Sequence, residues 1–171
     1  LALRAAMKPL DPGTQPILSC PYGSPLLPPG LTASISHKKE LAMAMVARSS
    51  HGTLGIDLED LTPERPGIAE RVLTASELEA VSILAPERQW NSVLLRFATK
   101  EALYKALFPH VVRYIAFQEA TVEPGLNGDI QIELTLQHGE GPFLVEAQYY
   151  WFAAQVLCAV RILPAPQAPA N

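Results

Sequence analysis

Arg96-Phe97-Ala98-Thr99-Lys100-Glu101-Ala102-Leu103-Tyr104-Lys105 sets two lysines and a glutamate into an otherwise apolar run. At 3.6 residues per turn, Leu94, Leu95, Ala98, Ala102 and Ala106 fall on the buried side of a helix, while Glu101 and Lys105, four apart, project together. The helix begins at Pro86-Glu87, where proline suits the first turn, and is expected to run through Leu107 and stop at Phe108-Pro109. Upstream, Gly55-Ile56-Asp57-Leu58-Glu59 alternates with period 2, so Asp57 and Glu59 share one face of a strand and Ile56 and Leu58 the other. Three carboxylates and two lysines can therefore converge from a strand and a helix.

Working outward, residues 1–9 read as the end of a helix stopped by Pro9 and the Asp11-Pro12-Gly13 turn. Pro16 to Gly30 holds five prolines and two glycines and is a loop. Strands are expected at 32–37, 41–48 and 52–59, the last two joined as a hairpin through Ser49-Ser50-His51-Gly52. A short helix follows over 66–73, and Thr74 with Glu77 forms a capping box that opens another. Strand-forming residues return at 116–122, 129–137, 143–152 and 155–163, separated by Gly125-Leu126-Asn127-Gly128 and His138-Gly139-Glu140-Gly141. Strands, then helices, then strands predict an α+β, sheet-and-helix domain over residues 1–163, followed by a disordered Pro- and Ala-rich tail at 164–171.

The chain has 171 residues, 49% of them hydrophobic, enough for one well-filled core and too few to presume two. Charged residues are 18% and the formal net charge is -4, so no basic excess is available for nucleic acid and any anion site must be local. Cys20 and Cys158 fit no metal-ligand spacing and read as thiols in a reducing compartment, Cys158 inside the apolar run 156–160. With no run long enough to span a membrane and no secretory signal pattern, a cytoplasmic monomer with no membrane partner is the expectation.

The pair G-I-D-x-E (Gly55 to Glu59) and F-x-x-K-E-A-x-x-K (Phe97 to Lys105) resembles the 4'-phosphopantetheinyl transferase family, in the subgroup serving secondary metabolism and siderophore synthesis. Ser34-Ile35-Ser36-His37, ahead of a second apolar strand, is similar to the segment with which that family holds the 3'-phosphate of coenzyme A. The resemblance implies transfer of 4'-phosphopantetheine from coenzyme A to a serine of an acyl or peptidyl carrier protein, releasing adenosine 3',5'-bisphosphate. It implies Mg²⁺ on Asp57, Glu59 and Glu101, with Glu101 or its bound water receiving the serine proton and Lys105 stabilising the leaving phosphate. Coenzyme A would lie against Tyr22, Gly23, Ser36, His37, Lys38, Lys100 and Lys105, the lysines of the helix facing its diphosphate. Carrier docking is expected just after the metal strand, on Leu61, Ile68, Val72 and Leu73 flanked by Arg65 and Arg71. Because Leu1 lies inside a helical pattern with no cap before it, an N-terminal part of the family domain, with basic residues for the coenzyme's phosphates, is expected to be absent.

Taken without the resemblance, the same residues admit plainer readings. Lys100 and Lys105 suit the solvated face of an amphipathic helix, and Glu101 to Lys105 is a pair worth only about 0.2–0.5 kcal/mol. A histidine ending a strand, such as His37, is frequently a hydrogen-bonded structural residue, and Phe97, one turn before Glu101, has no assigned role. Three carboxylates without a His/Cys cluster favour Mg²⁺ over zinc. A Mg²⁺-dependent phosphohydrolase using water as nucleophile, or a non-catalytic coenzyme A-binding module, would use the same carboxylates.

Overall fold

The computed structural model describes residues 1–11, 13, 16–20, 25–152 and 154–163; Tyr22, Gly23 and the 164–171 tail lie outside them. A short helix α1 (Ala2–Met7) precedes strands β1 (Leu31–His37) and β2 (Ala42–Arg48). These pair antiparallel as a two-stranded sheet, with Leu31 opposite Arg48 and His37 opposite Ala42. Strand β3 (Thr53–Asp60) leads to helices α2 (Ile68–Val72), α3 (Ala75–Ser82) and α4 (Pro86–Val111). Strands β4 (Ala120–Pro124), β5 (Asp129–Leu134), β6 (Leu144–Phe152) and β7 (Gln155–Leu163) complete a five-stranded antiparallel sheet in the order β3-β7-β6-β5-β4. The α+β expectation holds, and the strand boundaries fall within a few residues of those the alternation gives.

Two expectations are corrected. The hairpin is β1–β2, and β3 instead pairs with β7, Thr53 opposite Ile162 and Asp60 opposite Gln155. A 3-10 turn at Ser49–His51 and Gly52 at φ 99° carry the chain from one sheet to the other, and Gly52 packs so closely on the Ile162 carbonyl that a Cβ would lie 2.1 Å from its oxygen. Helix α4 also runs past Phe108-Pro109 to Val111 and is closed by Val112 in the left-handed region. A proline in the last turn removes one backbone donor, and its fixed φ remains compatible with the helix.

The core lies between α4 and the large sheet: Leu94, Ala98, Ala102 and Leu107 pack on Val156, Val160 and Ile162, all nearly inaccessible to solvent. Cys158 is buried here as the apolar run predicts, and burial pushes its thiol up to about 12. The opposite face of β3, Ile56 and Leu58, packs on Met43 and Met45 of β2.

Gly55 sets the distance between β3 and α4. A Cβ there would lie 1.8 Å from the Ala102 carbonyl oxygen and 2.8 Å from the Ala106 nitrogen, both backbone atoms that cannot turn aside. Glycine in a strand marks such a close approach. Gly55→Ala is therefore expected to force α4 off β3, costing about 3 kcal/mol or more as overpacking strain. Thermal denaturation checks it, and an unchanged melting temperature would contradict this packing.

Candidate active site

Gly55, Asp57 and Glu59 share the β3 face that meets α4, so the close approach at Gly55 brings Glu101 and Lys105 over the two strand carboxylates. Lys105 Nζ donates to Asp57 Oδ1 at 2.8 Å and to the Ile56 carbonyl at 2.9 Å, so it crosses to β3. Burial raises the Glu101 carboxyl above its ordinary range, and Asp57 then Glu59 push it the same way while Lys105 and Lys38 oppose them. Three carboxylates and two ammonium groups thus meet here, from β3, α4 and, for Lys38, the turn after β1.

The free edge of β3 is closed by serines. Ser34 Oγ accepts from the Ile56 amide at 2.9 Å and Ser36 Oγ accepts from the Leu58 amide at 3.0 Å, two residues apart on both strands. Ser36 also donates to Asp57 Oδ1 at 3.0 Å. Ser36 is 6% exposed and its hydroxyl is already occupied, which corrects its expected place on a phosphate: it fixes β1 to β3 and orients Asp57. His37, the next residue, is exposed at the rim of a cleft of about 460 Å³ that it shares with Lys38, Lys39 and the start of α1.

Lys100 requires a second correction. It is 3% exposed, and its ammonium donates to Glu77 Oε2 at 2.6 Å and to the Val72 and Phe117 carbonyls, each at 2.9 Å. All three protons are used, so Lys100 ties α2, α3 and the segment before β4 to α4 and does not face the carboxylates. Five residues along a helix turn the direction by about 140°, so Lys100 and Lys105 cannot serve one site. Glu77 also closes the Thr74 capping box and accepts from the Val122 amide. Val72 and Leu73, expected on an exposed patch, are each 2% exposed and belong to the core under α4.

Glu59 holds Lys38 on Oε1 at 2.7 Å and Arg65 on Oε2 at 2.8 Å. Asp57 Oδ2, by contrast, is buried without a hydrogen-bond partner. Among the described residues no three His, Cys, Asp or Glu side chains already close on a common point as metal ligands. An orphaned carboxylate oxygen beside two further acids nevertheless fits a hard divalent cation, and with only oxygen donors Mg²⁺ is the chemical match. Beside Glu101, a pocket of about 230 Å³ lined by Leu103, Tyr104, Ile115 and Phe117 offers apolar space. Among the described residues no helix is long and apolar enough to cross a membrane.

Residues 53–160 match the 4'-phosphopantetheinyl transferase superfamily, and residues 1–47 match the 4'-phosphopantetheinyl transferase N-terminal domain. The chain belongs to the 4'-phosphopantetheinyl transferase superfamily. It is 34% identical to the 4'-phosphopantetheinyl transferase Svp of Streptomyces mobaraensis over 68% of this chain and 48% of that protein. It is 31% identical to the 4'-phosphopantetheinyl transferase PptT of Mycobacterium tuberculosis over 70% of this chain and 52% of that protein. The chain thus spans about half the length of these curated relatives. In fold it is similar to the holo-(acyl-carrier-protein) synthase of Bacillus anthracis, solved in complex with CoA (3',5'-ADP), with a TM-score of 0.53, 22% identity, and coverage of 64% of this chain and 93% of that one.

Proposed function

We propose that this chain transfers 4'-phosphopantetheine from coenzyme A to a serine of an acyl or peptidyl carrier protein, releasing adenosine 3',5'-bisphosphate. The observation that carries the reading is the meeting of Asp57 and Glu59 of β3 with Glu101 and Lys105 of α4, inside the region matched to the superfamily. The relatives' names and the coenzyme in the Bacillus anthracis structure support the substrate class.

Asp57, Glu59 and Glu101 would hold Mg²⁺, which when bound supplies positive charge to the diphosphate oxygens. Glu101 or a water bound to it would take the serine hydroxyl proton as the new serine O–P bond forms. The P–O bond to the departing adenosine bisphosphate breaks, and the Lys105 ammonium neutralises charge on that phosphate. His37 would take the 3'-phosphate, a reading supported by its exposure beside Lys38 and Lys39 at the cleft near α1. The chain acts in the cytoplasm as a monomer, where coenzyme A and carrier proteins meet.

Mass spectrometry of an apo carrier protein incubated with this chain, coenzyme A and Mg²⁺ tests the proposal. The carrier is expected to gain one phosphopantetheine group, and a carrier whose acceptor serine is replaced by alanine is expected to gain none. Release of adenosine 3',5'-bisphosphate without any carrier would mean hydrolysis and would reject the transferase reading.

A further inference from the structure

Arg65, in the loop after β3, has no role in the reaction described above. Its guanidinium holds Glu59 Oε2 at 2.8 Å while lying 4.7 Å from the ring centre of Phe97 and 6.0 Å from that of Trp90. Trp90 Nε1 also donates to the Leu61 carbonyl at 2.6 Å, so α4 anchors the start of the same loop. A cation stacked on an aromatic face is attracted by the ring itself and keeps that seat without its carboxylate partner.

Glu59 spends both oxygens on the protein's own cations, whereas the neighbouring Asp57 Oδ2 has no partner. Glu59 is 6% exposed, but the side chains of Lys38 and Arg65 are 27% and 38% exposed, so the carboxylate is covered and its counter-ions stand at the mouth. A divalent ion entering between the three carboxylates must compete with them for Glu59. Any cation it displaces is left at the entrance with its charge unneutralised.

We propose that Arg65 is an exchangeable counter-ion. It neutralises Glu59 while no divalent cation is bound; once displaced, and still seated on Phe97, it turns its N–H donors to the diphosphate oxygens of the substrate. This deepens the transferase reading and rests on it. Arginine suits the exchange because its planar fork stays charged and meets phosphate oxygens two at a time. The exchange couples the two ligands: a diphosphate that takes up Arg65 strengthens the cation at Glu59, and the cation strengthens the diphosphate by the same factor.

Arg65→Met, which keeps aliphatic bulk over Phe97, separates the two halves of this exchange. Electron paramagnetic resonance titration with Mn²⁺ alone is expected to show binding about two- to fivefold tighter than in the unsubstituted chain, the worth of one part-exposed ion pair. Calorimetry with coenzyme A at saturating Mn²⁺ is expected to show binding weaker by at least about tenfold, for loss of a charge-assisted hydrogen bond. Weaker Mn²⁺ binding by the folded variant would make Arg65 an orienting prop for Glu59 and overturn the exchange, as would unchanged coenzyme A affinity. If Arg65→Met does not fold, Arg65→Lys replaces it: the exchange requires near-normal Mn²⁺ affinity with weakened coenzyme A binding, and unchanged coenzyme A affinity overturns it. A chain that modifies its carrier while Arg65→Met matches it in both titrations sinks this proposal alone. Absence of Mn²⁺ binding by the unsubstituted chain sinks the metal reading with it.

Discussion

Lys100→Met is expected to lower the stability of the fold by about 3–5 kcal/mol, because it leaves Glu77 as a buried carboxylate without its cation. Glu77 is 2% exposed and Lys100 3%, so water cannot replace the lost partner. Burial lowers the lysine's proton affinity and the hydrogen bond it donates to Glu77 restores part of it, the mark of a charge retained by its partner. The variant also frees the Val72 and Phe117 carbonyls, which close α2 and lead into β4. For a chain of this size the melting temperature should fall on the order of 10 °C. Adding Glu77→Gln should cost less than the sum of the two single changes, since the second removes the charge the first stranded. A Lys100→Met protein melting like the unsubstituted chain would show the pair to be dispensable, and the lysine could again be sought at the substrate.

Elements whose cause is local were legible in the sequence. The β3 alternation, the Thr74 capping box and the four late strands all follow from spacing within a dozen residues, and the structure places them within a few residues of expectation. Pairing was less accessible because it is set by partners far along the chain. The proximity of β2 and β3 suggested a hairpin, yet β3 has both faces buried and needs β7, some hundred residues on, to satisfy its ladder. The separation of Lys100 from Lys105 follows from helical arithmetic, although the two share one motif. Gly55 carried a signal too, since a glycine inside a strand suggests a close neighbour. Ser34 and Ser36 repeat with the period of the edge they close, but nothing in the sequence said that the edge was open. Arg65 is legible only as a cation beside the expected docking patch: the folded loop is what brings it between Glu59 and Phe97.

Glu101→Gln, one residue from the stabilising lysine, is expected to do the opposite: abolish transfer and leave stability unchanged or higher. Loss of a proton-accepting or charge-stabilising group costs about 10²-fold or more in rate. On the fold, however, the glutamate is a burden. Burial, Asp57 and Glu59 all raise its proton affinity, which means that its ionised form is held against its preference. A neutral amide of the same shape removes that repulsion and keeps the packing of α4 on β3. Melting curves with and without Mg²⁺ provide a readout that does not depend on turnover. A ligand that binds only the folded state raises its stability in proportion to its affinity, so Mg²⁺ should lift the melting temperature of the unsubstituted chain and barely that of the variant. An active Glu101→Gln protein would remove the assigned base. A variant that melts well below the unsubstituted chain would show that the carboxylate holds the helix in place, and that the three acids were gathered for the fold and not for a cation.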